Sequence, residues 1–129
     1  MRLARWIYLV AAIYGLLILA AGLFAERTLD ASGAQLAHPE FYYGFHGSAI
    51  VWQLVFLLIV SDPVRFRVLM PITFLEKAAF LVSNLVLLAT GRMSMGGPFI
   101  GGLIDGGLMV LFVLAWLRTP RSAAAKASL

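Results

Sequence analysis

The chain contains no cysteine and very few charged residues. Of its 129 residues only 12% are charged, about half the share of a typical soluble domain, while 62% are hydrophobic. The absence of cysteine excludes a disulfide scaffold, a thiolate nucleophile and a thiolate metal site. The scarcity of charge excludes a soluble globular domain and a disordered chain, because neither could present a polar surface to water. The composition therefore indicates an integral membrane protein.

The sequence also lacks the common motifs of catalysis and cofactor binding. It contains no GxxxxGK[ST], GxGxxG, HExxH or GxSxG pattern. His38 and Glu40 lie on a predicted loop, whereas His46 begins a predicted helix, so the two histidines make a poor metal site. We predict no catalytic residue, no metal and no cofactor. The net charge of +4 indicates topology and contact with membrane lipids, not binding to nucleic acid.

Four segments are long and apolar enough to cross a bilayer, which takes about 20 residues of helix. We predict spans over residues 6–25, 41–61, 69–90 and 98–117. They form one membrane domain over residues 1–117, an all-α four-helix bundle running up-down-up-down, followed by a flexible cytoplasmic tail over residues 118–129. A cleaved signal peptide is the alternative for the first span. We favour an uncleaved helix, since its apolar stretch is longer than the usual signal sequence.

Positive charge is unequally divided between the two predicted sides of the membrane. One side holds Arg2, Arg5, Arg65, Arg67, Arg118, Arg121 and Lys126, whereas the other side holds only Arg27 and Arg92. Because loops rich in lysine and arginine stay in the cytoplasm, both termini are predicted to be cytoplasmic. The predicted location is the cell inner membrane.

Six polar residues lie within the predicted spans, where an ionised group is costly to insert. Helix rise places them in two layers. The outer layer contains His46, Asn84 and Asp105, and the inner layer contains Gln53, Glu76 and Lys77. They form either a polar pocket or proton path, or a set of structural hydrogen bonds between helices. We expect the Asp105 carboxyl to lie within hydrogen-bond or water-bridged reach of Asn84, His46 or a hydroxyl group of the first or third span. The alternative for Lys77 is that its side chain extends to the cytoplasmic headgroups.

Glycine recurs along the fourth span at the spacing that lets helices approach closely. The glycines predicted to pack against another helix are Gly97, Gly101, Gly102 and Gly106. Asp105 shares a face with Gly101 and Gly102, which predicts that it points to a neighbouring helix and not to lipid. The first span offers Ala11, Gly15 and Gly22 as possible counterparts.

Two segments of the predicted helices are arranged as in a known family of membrane proteins. The third span reads Pro71…Leu75-Glu76-Lys77…Phe80, and the fourth contains Gly101-Gly102-Leu103-Ile104-Asp105. With four helices, this resembles the small uncharacterised bacterial inner-membrane proteins of the DoxX-like type. The resemblance implies a four-helix fold and no active site. The small multidrug resistance transporters also have four helices, but their essential glutamate lies in the first helix, and the first span here carries no charge.

Three functions are consistent with this sequence. The one it favours is a non-catalytic accessory or assembly component that packs with itself, as a homo-oligomer, or with a larger membrane complex. The first alternative is a proton-coupled small transporter or carrier that uses Asp105, His46 and Glu76. The second is a membrane enzyme that acts on a lipid or isoprenoid. An enzyme would need at least two titratable groups that converge on one cavity.

Overall fold

The elements of the fold are helices joined by short connections. The computed structural model describes residues 1–31 and 36–121, and none of these residues lies in a strand. Residues 32–35 of the first loop and 122–129 of the predicted tail lie outside the described residues. A 3₁₀ turn over Arg67–Leu69 precedes the fourth helix, and the helices are α1 Arg2–Leu23, α2 Glu26–Ala31, α3 Pro39–Ser61, α4 Met70–Ala89 and α5 Gly97–Arg118.

Proline sets the start of three of the long helices. Pro39, Pro71 and Pro98 each lie in the first turn of α3, α4 and α5. Proline suits this position because the first helical N–H groups have no partner within the helix and the ring presets the helical φ angle. α3 ends before Asp62, whose backbone is extended because Pro63 follows it. The Asp62 carboxylate then accepts hydrogen bonds from the next backbone N–H groups, at 3.2 and 3.1 Å.

Glycine terminates α4. Gly91 has a φ angle of +68°, a conformation that side chains disfavour. The Arg92 N–H donates to the Leu87 carbonyl at 2.9 Å, and the Gly91 N–H donates to the Leu88 carbonyl at 3.1 Å. These two bonds form a Schellman motif, which satisfies carbonyls that the end of the helix leaves unpaired. The turn reverses the chain into α5 over residues 90–96.

Four helices are long and apolar enough to cross a membrane. They are α1, α3, α5 and the segment Arg67–Ala89, which joins the 3₁₀ turn to α4. Large apolar side chains cover their outer surface, including Trp6 at 65% exposure and Leu17 at 68%. A patch of this extent is not stable against water, whereas lipid chains would cover it at no cost.

The observed boundaries differ slightly from the predicted ones. α1 begins at Arg2, four residues before the predicted start, because arginine is a good helix former and nothing before Trp6 ends a helix. It also ends two residues early, at Leu23. The polar segment after it begins with the short helix α2. α5 extends one residue at each end beyond the predicted span.

The four long helices pack as two pairs. α1 packs closely on α3, and α4 on α5, with fewer contacts between the pairs. Arg5 at the start of α1 donates to the Ser61 carbonyl at the end of α3, and the Tyr42 hydroxyl near the start of α3 donates to the Gly22 carbonyl. Opposite ends of α1 and α3 therefore lie side by side.

A buried aromatic cluster of Tyr8, Phe56 and Phe112 joins the pairs. The Tyr8 and Phe112 rings stack with their centroids 4.3 Å apart, and Phe56 meets both edge-on, at 5.8 and 5.0 Å. All three residues are fully buried. Such ring pairs stabilise by about 0.5–1.5 kcal/mol beyond the area that they bury. The cluster fixes how the α1–α3 pair meets the α4–α5 pair.

One hydrogen bond at this cluster links α1 to α4. The Tyr8 hydroxyl lies 2.7 Å from the Thr73 hydroxyl, and Thr73 lies 2.8 Å from the Met70 carbonyl, which can only accept. Thr73 therefore donates to Met70, and Tyr8 donates to Thr73. Both hydroxyl hydrogens are used, so two buried polar groups are satisfied without water.

Candidate functional site: a polar cavity between the helix pairs

A cavity of about 180 Å³ lies between the two helix pairs and is lined by all four long helices. Its lining follows Tyr8 along α1 and precedes Phe56 and Phe112 along α3 and α5. The cavity therefore lies on the side of the aromatic cluster nearer the end of α1. Five of the six predicted polar residues line it: His46, Gln53, Glu76, Lys77 and Asp105.

Lys77 is the centre of the charged part of this cavity. Its ammonium nitrogen lies 3.3 Å from Asp105 Oδ1 and 3.4 Å from Glu76 Oε2. The Glu76 contact is an ion pair without hydrogen-bond geometry, since Oε2 has no hydrogen-bond partner among the described residues, whereas Asp105 Oδ2 accepts a hydrogen bond from Lys77 at 3.4 Å. One ammonium group is thus shared by two carboxylates.

The surroundings of Lys77 separate it from solvent. Only 9% of its side chain is exposed, against 19% for Glu76 and 16% for Asp105. Its ammonium also lies 5.5 Å from the centroid of the Phe56 ring, within range of a cation–π interaction. A buried charge is tolerated only when it is paired, and here each charged group has an oppositely charged neighbour.

The opposite wall carries His46 and Gln53 from α3. Gln53 donates through Nε2 to the Ala49 carbonyl at 3.0 Å, which directs its carboxamide oxygen toward α1. His46 Nδ1 lies 2.8 Å from the Tyr42 carbonyl, so Nδ1 carries the proton and donates. Both side chains bond within their own helix, and their far ends meet the backbone of α1.

Two glycines of α1 make room for these side chains. A Cβ atom at Gly15 would overlap the Gln53 carboxamide, and one at Gly22 would overlap the His46 ring. The prediction offered Gly15 and Gly22 as counterparts for the glycines of the fourth span. In the structure they instead receive polar side chains from α3.

Asn84 lies apart from the cavity. It is buried between α4 and α5, donates to the Phe80 carbonyl at 2.8 Å, and lies 3.1 Å from the position of a Cβ built at Gly102. This placement favours the structural hypothesis for Asn84, which packs against a glycine and caps a carbonyl of its own helix.

The expected partners of Asp105 were wrong. We expected Asn84, His46 or a hydroxyl, and the structure pairs Asp105 with Lys77. Lys77 accordingly does not snorkel to a membrane surface. Helix rise gave the depth of each Cα atom, but a lysine side chain reaches several ångströms along the helix axis and thereby joins the two predicted layers.

The glycines of α5 differ in what they contact. Gly102 meets Asn84 and Gly106 meets Leu81, at 3.1 and 3.0 Å from the position of a Cβ, and Gly101 meets the Phe80 ring at 3.7 Å. These three pack against α4. Gly97 does not, since a Cβ there would meet no described atom within 4 Å, because it lies at the start of the helix beside the connecting turn.

The cavity has more hydrogen-bond acceptors than donors. Among the described residues, the buried side-chain atoms without a hydrogen-bond partner are Gln53 Oε1, Glu76 Oε2 and Asn84 Oδ1. All three are acceptors; the first two belong to residues that line the cavity, whereas Asn84 lies apart from it. Exchanging the oxygen and nitrogen of Gln53 would place its oxygen against the Ala49 carbonyl, so the assigned orientation is the favourable one. The cavity therefore favours a guest that donates hydrogen bonds.

Sequence reasoning missed the aromatic part of the site. Phe45 and Phe80 stack across α3 and α4, with their centroids 5.6 Å apart, and both line the cavity with Tyr14. The signal available was spacing, since Phe80 is three residues after Lys77 and shares its helix face. Each aromatic residue on its own is ordinary in a membrane helix.

No family model, curated protein or solved structure matches this chain. The kind of ligand that the cavity can bind is therefore inferred from its geometry. It combines two carboxylates, one ammonium group and aromatic walls in a single space between the helices. Such a site can hold a small molecule with a polar head and an apolar body.

Proposed function

We propose that this protein is a small carrier of the inner membrane that binds a solute in the cavity between its helix pairs. The observation that carries the proposal is the sharing of the Lys77 ammonium by Glu76 and Asp105 at the cavity wall. The Glu76 and Asp105 side chains are 19% and 16% exposed, and Glu76 Oε2 has no hydrogen-bond partner among the described residues, so the carboxylates have unused capacity to bind a ligand.

The proposed topology is up-down-up-down, with both termini in the cytoplasm. Seven lysine and arginine residues against two support this orientation. The contacts of Arg5 with Ser61 and of Arg67 with Thr119, at 3.3 and 2.7 Å, support the adjacency of the ends that would lie on the cytoplasmic side. The aromatic cluster then closes the cytoplasmic side, and the cavity lies toward the outside.

Proton coupling follows from the cost of an unpaired charge in this setting. If a bound cation leaves, a carboxylate that it had neutralised must regain Lys77 or take up a proton. The groups that face one another here are Glu76, Lys77 and Asp105, with His46 on the opposite wall. Release of a cationic substrate is therefore linked in the proposed cycle either to the return of Lys77 or to the uptake of a proton at a carboxylate.

Cysteine accessibility tests the carrier without knowledge of its substrate. The natural chain has no cysteine, so Ala49→Cys introduces one thiol into the cavity wall. A carrier exposes its site to each side in turn, so a charged, impermeant methanethiosulfonate should label this thiol in right-side-out and in inside-out vesicles. Val51→Cys is the control, since Val51 is 58% exposed on the lipid-facing surface and should label from neither side.

Two results would contradict the carrier. Labelling of Ala49→Cys from one side only would indicate a static pocket, and no labelling from either side would indicate a closed structural core. Either result would favour the accessory or assembly component. Such a component should co-purify in mild detergent with a partner protein or with a second copy of itself. The relation to the DoxX-like type stays a prediction.

The enzyme is the second candidate, because titratable groups do converge on one cavity. Glu76, Lys77 and Asp105 meet the minimum that an enzyme of lipid or isoprenoid chemistry requires. We rank it below the carrier because Lys77 is held by both carboxylates, so the cluster offers no unpaired base beside an unpaired acid. Turnover of a lipid by the purified protein, lost in Glu76→Gln, would reverse this order.

A further inference from the structure

We infer that the solute is a small organic amine whose ammonium group replaces Lys77 between Glu76 and Asp105. The inference rests on the proposed function and names its substrate class. The first observation is the charge of the site. Two carboxylates line the cavity, and the one cation beside them in the described structure is the ammonium of Lys77. Lys77 thus occupies the position that an ammonium ligand would take.

The hydrogen-bond inventory points the same way. Gln53 is 2% exposed and lines the cavity, and its carboxamide oxygen lies beside Gly15 of α1 without a hydrogen-bond partner in the described structure. Glu76 Oε2 lies 3.4 Å from the Lys77 ammonium without hydrogen-bond geometry. An ammonium group carries up to three N–H donors and no acceptor. An anion would meet two carboxylates, and a neutral carbonyl would add one more acceptor to a site with too many. Only a positively charged head group with several N–H donors improves both the charge balance of the site and its balance of hydrogen-bond donors to acceptors.

The size and walls of the cavity define the body of the ligand. A protein cavity of about 150 Å³ is enough to hold benzene, so the 180 Å³ here matches one ring with a short arm. Phe45, Phe80 and Tyr14 provide aromatic walls, with Leu108 beside Asp105 along α5. The Phe56 ring, which faces the Lys77 ammonium at 5.5 Å, would face a ligand ammonium in the same place.

Binding by exchange also explains why the site contains a lysine at all. Without ligand, Lys77 pairs with both carboxylates, which leaves one net negative charge but no carboxylate without a cationic neighbour in a low-dielectric setting. With ligand, the incoming ammonium takes the position between the carboxylates, and the four-carbon side chain of Lys77 shifts while its ammonium stays beside one of them, so that two ammonium groups balance two carboxylates. The ammonium groups of Lys77 and of the ligand compete for the same carboxylates, so no covalent bond forms or breaks.

The test compares four probes that share a phenyl ring and differ in the polar head, on the full chain in lipid nanodiscs. Benzylamine carries charge and donors, benzyltrimethylammonium carries charge only, benzyl alcohol carries neither charge nor more than one donor, and benzoate carries the opposite charge. We expect benzylamine to bind about 10-fold tighter than benzyl alcohol, the equivalent of one charge-assisted hydrogen bond. Benzyltrimethylammonium should bind more weakly than benzylamine, and benzoate should not compete.

Variants then assign the binding to the carboxylates. Asp105→Asn should weaken benzylamine about 10-fold and leave benzyl alcohol unchanged. Ser83→Ala is the control, since the exposed Ser83 hydroxyl bonds only to the Ala79 carbonyl of its own helix, and it should bind benzylamine normally. Equal loss in both variants, or none in Asp105→Asn, would overturn the assignment.

Removal of the resident cation gives a second measurement. Lys77→Ala should lower the melting temperature, because it leaves two carboxylates unpaired, and n-butylamine, which supplies an ammonium on a chain one carbon longer than the part removed, should restore it. Butanol should not, and the wild type should gain less from butylamine than the variant. If butanol rescues as well as butylamine, or if benzyl alcohol or benzoate binds as tightly as benzylamine, the amine is the wrong class.

The failures of the two proposals are distinguishable. Labelling of Ala49→Cys from both sides, with no preference for amines, would keep the carrier and discard the amine. Amine binding with labelling from one side only would keep the amine site and discard transport. If Lys77→Ala cannot be purified, the four probes on the wild type decide the inference by themselves.

Discussion

The Lys77 ammonium lies 3.3 Å from the Asp105 carboxylate and joins α4 to α5 in the middle of their contact. The two residues are 28 positions apart in the chain. Both side chains are largely shielded, so the pair differs from exposed ion pairs, which contribute little. It adds a charged contact between two helices that also pack through the glycines of α5 and through the Phe74 and Trp116 rings.

Breaking this pair from one side should be costly. Lys77→Met leaves Glu76 and Asp105 without their cation and should destabilise the protein by about 3–5 kcal/mol. The double variant Lys77→Met with Asp105→Leu should recover part of that loss, because it removes a charge that had become unpaired. Thermal unfolding in detergent would measure both. If the single variant melts like the wild type, the cluster does not stabilise the helix pair.

Asp105→Asn separates a structural role from a chemical one. The amide keeps the shape and a hydrogen-bond acceptor for Lys77, so the fold should be retained. If Asp105 only packs, cavity labelling in Ala49→Cys should be unchanged by the added Asp105→Asn. If it belongs to the proposed cycle, labelling from one of the two sides should be lost while the melting temperature stays nearly constant.

Gly102 should tolerate alanine better than leucine. A Cβ at Gly102 lies 3.1 Å from Asn84, so Gly102→Leu should overpack the α4–α5 contact and cost about 1–3 kcal/mol. Gly102→Ala should be milder, since the higher helix propensity of alanine offsets part of the strain. Gly107→Leu is the matched control, because a Cβ there meets no described atom within 4 Å. Equal melting temperatures for both leucine variants would remove the packing argument.

Gly15 should be required by Gln53. Gly15→Ala places a Cβ into the Gln53 carboxamide and should cost about 1–3 kcal/mol, whereas Gly47→Ala, where a Cβ has open space among the described residues, should be neutral. In a Gln53→Ala background the Gly15→Ala cost should largely vanish, as expected for residues in direct contact. Additive effects of the two changes would mean that these side chains do not meet.

The topology prediction is open to a direct test with single cysteines. His38→Cys, in the connection before α3, should react with an impermeant thiol reagent added outside cells. Ser128→Cys, near the C-terminus, should react only after the membrane is made permeable. This pattern follows from seven positive residues on one side and two on the other. The reverse pattern would place the cavity on the cytoplasmic side.

The sequence by itself determined the helices and their ends. Four apolar stretches of about 20 residues could satisfy their backbone groups in lipid only as helices, and Pro39, Pro71, Pro98 and Gly91 mark four of their eight ends. The candidate site residues followed from the free-energy cost of placing a polar side chain in the membrane, because such residues are usually paired or functional. Five of the six then met at one cavity, because each avoids lipid by facing a neighbouring helix.

Only the tertiary structure decided which of these residues meet. Helix periodicity gives the face of a residue and helix rise gives its depth, but neither gives the partner helix or the reach of a side chain. Lys77 therefore pairs with Asp105 across predicted layers, Asn84 packs on Gly102 away from the cavity, and Gln53 fills the space at Gly15. Each of these contacts lies within one helix pair, α1–α3 or α4–α5, and the cluster of Tyr8, Phe56 and Phe112 then brings the two pairs together through residues distant in the chain.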